Sequence, residues 1–228
     1  MKIKILLLIF ILINLFHYKT VAQVTCNANR AQDSTTLRRL YTSTNGAAWT
    51  TKWDTTKSMN TWFGVTLNTG GRVIKLEMSN NNLTGTLPNE LNSLCALQTL
   101  DLSNNKISGT LPPQMSIMSG LLIVKLNSNQ LTGQIPRIRA FSLTNLDFGN
   151  NQFSGTFPDL DTCFSLKSLE LRFNKISGTI PLSFYISHYP LQYLSAPNNQ
   201  LTGSILSQIS NLSSLQTLNL DNNQFLLE

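Results

Sequence analysis

Charged side chains are scarce in this sequence, at 12% of 228 residues, and histidine occurs only twice. A nucleic-acid footprint needs a dense stripe of Lys and Arg. Here the basic residues are scattered, with Arg38-Arg39 and Arg137-Ile138-Arg139 as small clusters, so nucleic acid is excluded as a partner. The formal charge of +6 falls to +3 once Lys2, Lys4 and Lys19 of the N-terminal segment are set aside. After that segment the sole histidine is His188, and there is no H-E-x-x-H, no G-x-S-x-G, no phosphate loop and no Cys/His cluster with metal spacing. No metal, cofactor or enzymatic activity is therefore expected. Aspartates on neighbouring repeats would lie on an open face where water exchanges freely, which does not suit a glycosidase pair.

Cysteine is sparse too, and its count is odd: Cys26, Cys95 and Cys163. An odd count in a secreted chain leaves a free thiol or an intermolecular bond. Cys163 falls where Leu94 sits in its own repeat, which predicts a small buried hydrophobe. Cys26 and Cys95 are expected to be more accessible, and no bridge is assigned between them because they lie far apart in the stacking order. Long apolar runs are absent except for Ile5 to Phe16, about 12 residues against the roughly 20 that span a bilayer. With Lys2 and Lys4 before it and Thr20-Val21-Ala22 after it, residues 1–22 read as a cleaved secretory signal. The mature chain is expected to begin near Gln23, without a membrane anchor, in the extracellular space.

What the sequence does have is repetition. Leu97 to Pro112 reads LQTLDLSNNKISGTLP, and the pattern returns with its Asn at Asn81, Asn105, Asn129, Asn151, Asn174, Asn199 and Asn223, a period of roughly 22 to 25 residues. Leu100 and Leu102 alternate with Asp101 as in a short strand that buries one face. One such unit has no core of its own, but stacked units bury a continuous apolar column while their strands pair in parallel. Each Asn is placed to satisfy backbone groups where the chain leaves the strand, since its amide both donates and accepts. The Gly-centred phrase keeps step, as LTGTLP at Leu83, ISGTLP at Ile107, LTGQIP at Leu131, FSGTFP at Phe153, ISGTIP at Ile176 and LTGSIL at Leu201.

At these residues the chain resembles the leucine-rich repeat family, in its plant-type class with the consensus L-x-x-L-x-L-x-x-N-x-L-[ST]-G-x-I-P, over about Arg30 to Glu228. The resemblance implies an α/β solenoid, a right-handed superhelix of about seven coils with a parallel concave sheet over residues 73–228. Residues 23–72 hold all three tryptophans, Trp49, Trp53 and Trp62, and are expected to form a helical N-terminal cap. Asp33 or Ser34 is predicted to cap its helix, in which Leu37, Leu40 and Tyr41 share a face, and Asn45-Gly46 to end it. The wording resembles the cap of receptor kinases and polygalacturonase-inhibiting proteins, but Asn60 and Leu67 stand where those relatives carry two cysteines. The tryptophans are expected to be core rather than a sugar-stacking site.

The family uses its concave strand face for recognition. The central stripe there reads Glu77, Asp101, Lys125, Asp147, Glu170, Ser195 and Asn219. On one side lie Lys75, Thr99, Ile123, Asn145, Ser168, Tyr193 and Thr217; on the other, Ser103, Asn127, Arg172 and Asp221 alternate with Gly149 and Pro197. Lys75, Glu77, Asp101, Lys125, Asn127, Asp147, Glu170, Arg172, Phe173, Tyr193, Asn219 and Asp221 are the candidate ligand contacts. Phe173 reads as the single aromatic at an exposed position of the array and, with Arg172 and Tyr193, as the hot spot. The expected partner is a protein or peptide.

Two faults interrupt the repeat: the unit from Asn129 to Asn151 is short, and the one from Asn174 to Asn199 is long. The long one carries Phe184, Tyr185, His188 and Tyr189, expected to protrude on the convex side. Pro197 is expected to loosen strand pairing by removing a donor. After Asn223 no polar capping segment follows, so the sequence reads as a truncated piece of a larger receptor or as a chain that self-associates through that edge. Sequons at Asn82 and Asn211 would carry glycans in a eukaryotic source. A second function is open to the convex side, where Thr84 and Thr86, Ser108 and Thr110, Thr132 and Gln134, Ser154 and Thr156, Ser177 and Thr179, and Thr202 and Ser204 form two ranks. Their spacing, about 4.8 Å between units and about 7 Å along a strand, would suit ice or a crystalline polysaccharide.

Overall fold

The computed structural model describes residues 28–187, 190–205 and 207–226. The secretory signal, Cys26, His188 and Tyr189 lie outside the described residues. The chain first forms helix α1 (Arg30–Ser43), and its N-cap is Asn29, not Asp33 or Ser34. Asn29 Oδ1 accepts from the Ala31 and Gln32 backbone N–H groups, and Gln32 Oε1 accepts from the Asn29 N–H in return. That reciprocal capping box satisfies donors the helix cannot. Asp33 is instead fully buried. It accepts from Arg72 Nε and Nη2 at 2.9 Å each and from the Val73 N–H at 2.9 Å, pinning the helix to the first repeat strand.

The helix buries Leu37 and Leu40 against Trp49, Trp53 and Trp62, whose residues are 1%, 4% and 3% exposed. Tyr41 meets Trp49 edge-on with centroids 5.0 Å apart, and Trp53 stacks on Trp62 at 4.8 Å. Each indole N–H donates to a backbone carbonyl, of Thr44, Phe63 and Asp54 respectively. With their rings buried and their polar ends satisfied, these tryptophans are core, and sugar stacking is ruled out for them.

Two sheets form the body. Among the described residues the concave sheet has eight strands: β1 (Val65–Leu67), β2 (Val73–Glu77), β4 (Thr99–Asp101), β6 (Ile123–Lys125), β8 (Asn145–Asp147), β10 (Ser168–Glu170), β12 (Tyr193–Ser195) and β14 (Thr217–Asn219). β1 is antiparallel to β2, and from β2 onward the pairing is parallel. Gly64, just before β1, has φ +74°, and a Cβ there would lie 2.1 Å from the Glu77 carbonyl oxygen, so only glycine fits. Inward-facing Leu76, Leu100, Val124, Leu146, Leu169 and Leu194 are at most 1% exposed. Each contributes on the order of 2 kcal/mol by leaving water.

The second sheet comprises β3 (Thr84–Thr86), β5 (Lys106–Thr110), β7 (Gln130–Gln134), β9 (Gln152–Thr156), β11 (Lys175–Gly178), β13 (Gln200–Gly203) and β15 (Gln224–Phe225). Between the sheets runs the asparagine ladder. Asn151 is typical: its Nδ2 donates to the carbonyls of Leu126, Phe148 and Gly149, and its Oδ1 accepts from the Leu131 N–H. Asn105, Asn129, Asn174, Asn199 and Asn223 repeat the arrangement from unit to unit. Asn81 instead reaches back, exchanging hydrogen bonds with Thr51.

Three expectations about the packing are corrected. In the long unit, helix α2 (Leu182–Ser187) turns Phe184 and Tyr185 inward, each 1% exposed, with Phe184 edge-on to Phe157 at 4.9 Å. The extra length is absorbed by packing, since burying two aromatics outweighs exposing them. Pro197 does not loosen the sheet: Ala196 N–H donates to Asn219 O at 2.8 Å and Asn198 N–H to Asp221 O at 2.9 Å. At the equivalent Ser103, Gly149, Arg172 and Asp221 the N–H donates to a side chain two residues back, so the ladder loses nothing. Finally, Cys95 is disulfide-bonded, although no bridge was assigned to it from the sequence, while Cys163 is free and buried.

Candidate functional site

Residue spacing of two along each strand, together with unshifted parallel register, lines up the concave side chains. Glu77 pairs with Asp101, Asp101 with Lys125, Lys125 with Asp147, Asp147 with Glu170, Glu170 with Ser195, and Ser195 with Asn219. The neighbouring row from Lys75 through Asn145 and Ser168 to Tyr193 is equally in step.

The acidic row has a structural role that the sequence reading missed. Asp101 Oδ1 accepts from Ser103 N–H and Oγ–H, Asp147 Oδ1 from Gly149 N–H, Glu170 Oε1 from Arg172 N–H, and Asn219 Oδ1 from Asp221 N–H. Each acceptor thus caps the N–H two residues on, where the chain turns off the strand. The signal was present as an Asp or Asn two residues before the turn, a familiar Asx-turn spacing.

The structure brings five of the candidate contacts together. Lys125, Asp147, Glu170, Arg172 and Tyr193 surround a shallow depression of about 270 Å³, to which Asn145 and Ser168 also contribute. Those last two were legible only as members of the flanking row. Lys75 and Glu77 on β2 lie three strand spacings from Asp147, about 14 Å away, and Asn219 and Asp221 belong to the opposite end. Asn127 is half-buried and its carbonyl serves the ladder.

Within the depression the charges are unequally supported. Glu170 is 7% exposed and well supported: besides Arg172 N–H it accepts from Ser195 Oγ–H at 3.0 Å and Tyr193 O–H at 3.1 Å. Asp147 is less well held. Burial pushes its carboxyl above the ordinary range and the Glu170 carboxylate adds to this, against the opposing pull of Gly149 N–H, Arg172 and Lys125. Arg172 Nη1 stands 3.9 Å from Glu170 Oε2, and Lys125 Nζ 3.9 Å from Asp101 Oδ2, both beyond hydrogen-bonding distance.

Phe173 sits beside this depression, on the turn rather than on the strand. Its φ is +51°, in the row of left-handed residues Asn80, Asn104, Ser128, Asn150, Asn198 and Asn222. Asn tolerates that conformation and a bulky ring does not. Its side chain nonetheless faces solvent, with the residue 52% exposed. It is not the single exposed aromatic of the array, since Phe141 is 37% exposed and stacks on Phe164 at 6.1 Å.

The hydroxyl ranks are stepped rather than aligned. Thr86 pairs with Ser108, Thr110 with Thr132, and Gln134 with Ser154, a displacement of two residues at each unit relative to the repeat. The side chains of Ser108 and Ser177 also donate to the carbonyls of Gly85 and Gly155. Hydroxyls of neighbouring units are thus paired obliquely, each outer residue of one unit beside the inner residue of the next.

Among the described residues, no group of three or more His, Cys, Asp or Glu is placed to hold a metal ion, and no helix is long and apolar enough to cross a membrane. The Leucine Rich Repeat family profile matches residues 72–94, 96–118, 142–163, 165–185 and 190–212. Receptor-like protein 18 of Arabidopsis thaliana is 35% identical over 83 residues, which is 36% of this chain and 10% of the relative. The chain thus spans about a tenth of the length of that curated relative. The crystal structure of a plant ice-binding protein superimposes with a TM-score of 0.75 over 87% of this chain and 73% of that one, at 24% identity, a likeness of fold. The Arabidopsis receptor kinase HAESA, in complex with the peptide hormone IDA and the co-receptor SERK1, superimposes with a TM-score of 0.54 at 25% identity, over 85% of this chain and 42% of that one. In repeat, in fold and in relatives, the chain belongs to the leucine-rich repeat family, in its plant-type class.

Proposed function

We propose that this chain is a secreted recognition module that binds a protein or peptide on its concave face, at the depression between Lys125 and Tyr193. The observation that carries this reading is the convergence there of two cations without hydrogen-bond partners and a poorly supported carboxylate, with an exposed ring on the strained turn that follows Arg172. Such strain persists where surrounding structure enforces it and clusters at binding sites. The receptor kinase noted above, which holds a peptide hormone, supports the same use of the fold. The module's affinity resides in side chains on a rigid sheet, so no chemical step is assigned to it.

The test is capture of partners from the native extracellular medium by the folded chain, beside an Arg172→Glu and Lys125→Glu double variant. These positions are preferable to Asp101 and Asp147, whose carboxylates also hold turn N–H groups. Partners retained by the parent and lost from the variant, with circular dichroism unchanged, are expected. Equal capture by both would remove the site from this face.

A further inference from the structure

The hydrogen-bonding capacity left open in the depression identifies the chemistry it takes. Glu170 has most of its acceptor capacity taken, because Arg172 N–H, Ser195 Oγ–H and Tyr193 O–H already converge on it. Arg172 and Lys125 keep their charged heads free of hydrogen bonds, with side chains 43% and 49% exposed. A guanidinium and an ammonium are donors only. The open donors therefore outnumber the open acceptors, and what completes the site is rich in acceptors.

Charge then sets a condition. Asp101, Asp147 and Glu170 on β4, β8 and β10 face Lys125 on β6 and Arg172 just past β10, leaving one negative charge in excess. An anion settles between the two cations at lower cost if one carboxylate is neutralised. Asp101 has two donors from Ser103 and Glu170 has three, whereas Asp147 has the single N–H of Gly149. Asp147 is therefore the carboxylate best placed to take a proton, and its burial beside Glu170 favours the same outcome. Gly149 completes the geometry by what it lacks. A Cβ there would lie 3.1 Å from Arg172 Cγ and 3.3 Å from Asp147 Oδ1, so the missing side chain lets the arginine stem lie across toward Asp147.

Resting on the concave-face reading above, we propose that the depression binds a carboxylate of the partner between Arg172 and Lys125, with Asp147 protonated and donating to it. One proton enters from solvent as the carboxylate docks, and the two carboxyl groups share it through one O–H···O⁻ hydrogen bond. Binding tightens as the medium acidifies, by up to about tenfold per pH unit while Asp147 would otherwise be ionised. An acidic side chain and a chain terminus both supply such a carboxylate, and the chemistry is the same.

Three peptides separate these sources: acetyl-Gly-Glu-Gly-amide, acetyl-Gly-Gly-Gly with a free C-terminus, and acetyl-Gly-Gln-Gly-amide as the neutral control. Each is titrated into the isotopically labelled folded chain, following Arg172 Nε–H and the Asp147 carboxyl carbon by NMR at about pH 5 and about pH 7.5. At least one carboxylate peptide is expected to bind more tightly at the lower pH, and the neutral peptide at neither. Asp147→Asn, which carries a permanent donor in place of the proton, should bind equally at both pH values. Arg172→Gln should lose binding, and Gly149→Ala should weaken it. A pH dependence that survives Asp147→Asn overturns the proton assignment. Equal binding of the neutral peptide overturns the carboxylate while leaving concave recognition standing. If no peptide perturbs these resonances although the Arg172 and Lys125 variant loses its partners, this inference fails alone; if capture is also indifferent to that variant, the concave site falls with it.

Discussion

Asn151 shows how much of this molecule rests on one amide. It donates to three carbonyls and accepts from one N–H while only 9% exposed, where water is poorly placed to replace it. Asn151→Ala should cost about 2–4 kcal/mol, since buried backbone groups are left without partners. Asn151→Asp should cost more at neutral pH, because an ionised oxygen replaces the donor that faced those carbonyls; chemical denaturation of both variants would rank them. Cys163 makes the opposite case, a polar group that burial silences. Desolvation pushes its thiol up to about 11 from the model-compound 9.0, so at about pH 8 thiolate is a minute fraction. Iodoacetamide should leave the Cys163 peptide unmodified in the folded protein and alkylate it on unfolding, as mass mapping would show. Adduct formation at native rates equal to the unfolded ones would contradict its burial. Asp147 yields a third expectation, with its sign fixed by linkage. Its folded pKa is raised, so the folded state binds the proton more tightly, and the ionised form is a liability above that pKa. Asp147→Asn should raise the thermal midpoint at neutral pH and lose that advantage below the ordinary Asp range.

At the scale of the element, the strand and the turn that follows it are read by different rules, and the sequence exposes them unequally. The strand obeys a period of two, so the concave rows were legible from Leu100, Asp101 and Leu102 alone, and the register observed between Asp101, Lys125 and Asp147 follows from the repeat. The second sheet was not legible in the same way. Its pairing steps by two residues per unit, set by hydrogen bonds such as Lys106 N–H to Leu83 O that no periodicity displays. The N-terminal helix was misread at Asp33 because its partner, Arg72, is distant in sequence, although the Asn29 and Gln32 pair was visible as an N-x-x-Q capping box. The depression itself could be placed on the face but not bounded, because the support of Glu170 depends on Tyr193 and Ser195 from the next strand. The turn offers the sharpest element-level expectation. Phe173 occupies a left-handed position that Asn fills in most neighbouring units. Phe173→Asn should therefore stabilise the protein by about 1 kcal/mol while weakening partner capture. A calorimetric midpoint that does not rise would show that the ring makes contacts worth more than the strain.

Across the whole molecule, each unit is stabilised almost entirely by its two neighbours, so position along the stack decides what a substitution costs. Leu146 and Leu169 are at most 1% exposed, with strands on both sides, whereas Leu218 in β14 holds the same inward position at 41% exposure. Leu146→Ala or Leu169→Ala should cost about 3–4 kcal/mol, through lost transfer energy and the cavity left behind. Leu218→Ala in this chain should cost about 1 kcal/mol or less, since much of that side chain never leaves water. Hydrogen exchange should follow the same gradient, with amides of β6 to β10 opening only in global unfolding and those of β14 and β15 through local fraying. The depression lies across β6 to β12, largely on the strands expected to exchange slowest. Lys125, Asp147, Arg172 and Tyr193 are thus held by the part of the stack least able to rearrange, and a partner bound there should slow exchange in the β14 edge only if the sheet transmits order along its axis. Measuring protection in the free and bound protein distinguishes the two cases: a change confined to side chains and turns of β6 to β12 is the outcome expected of a rigid platform.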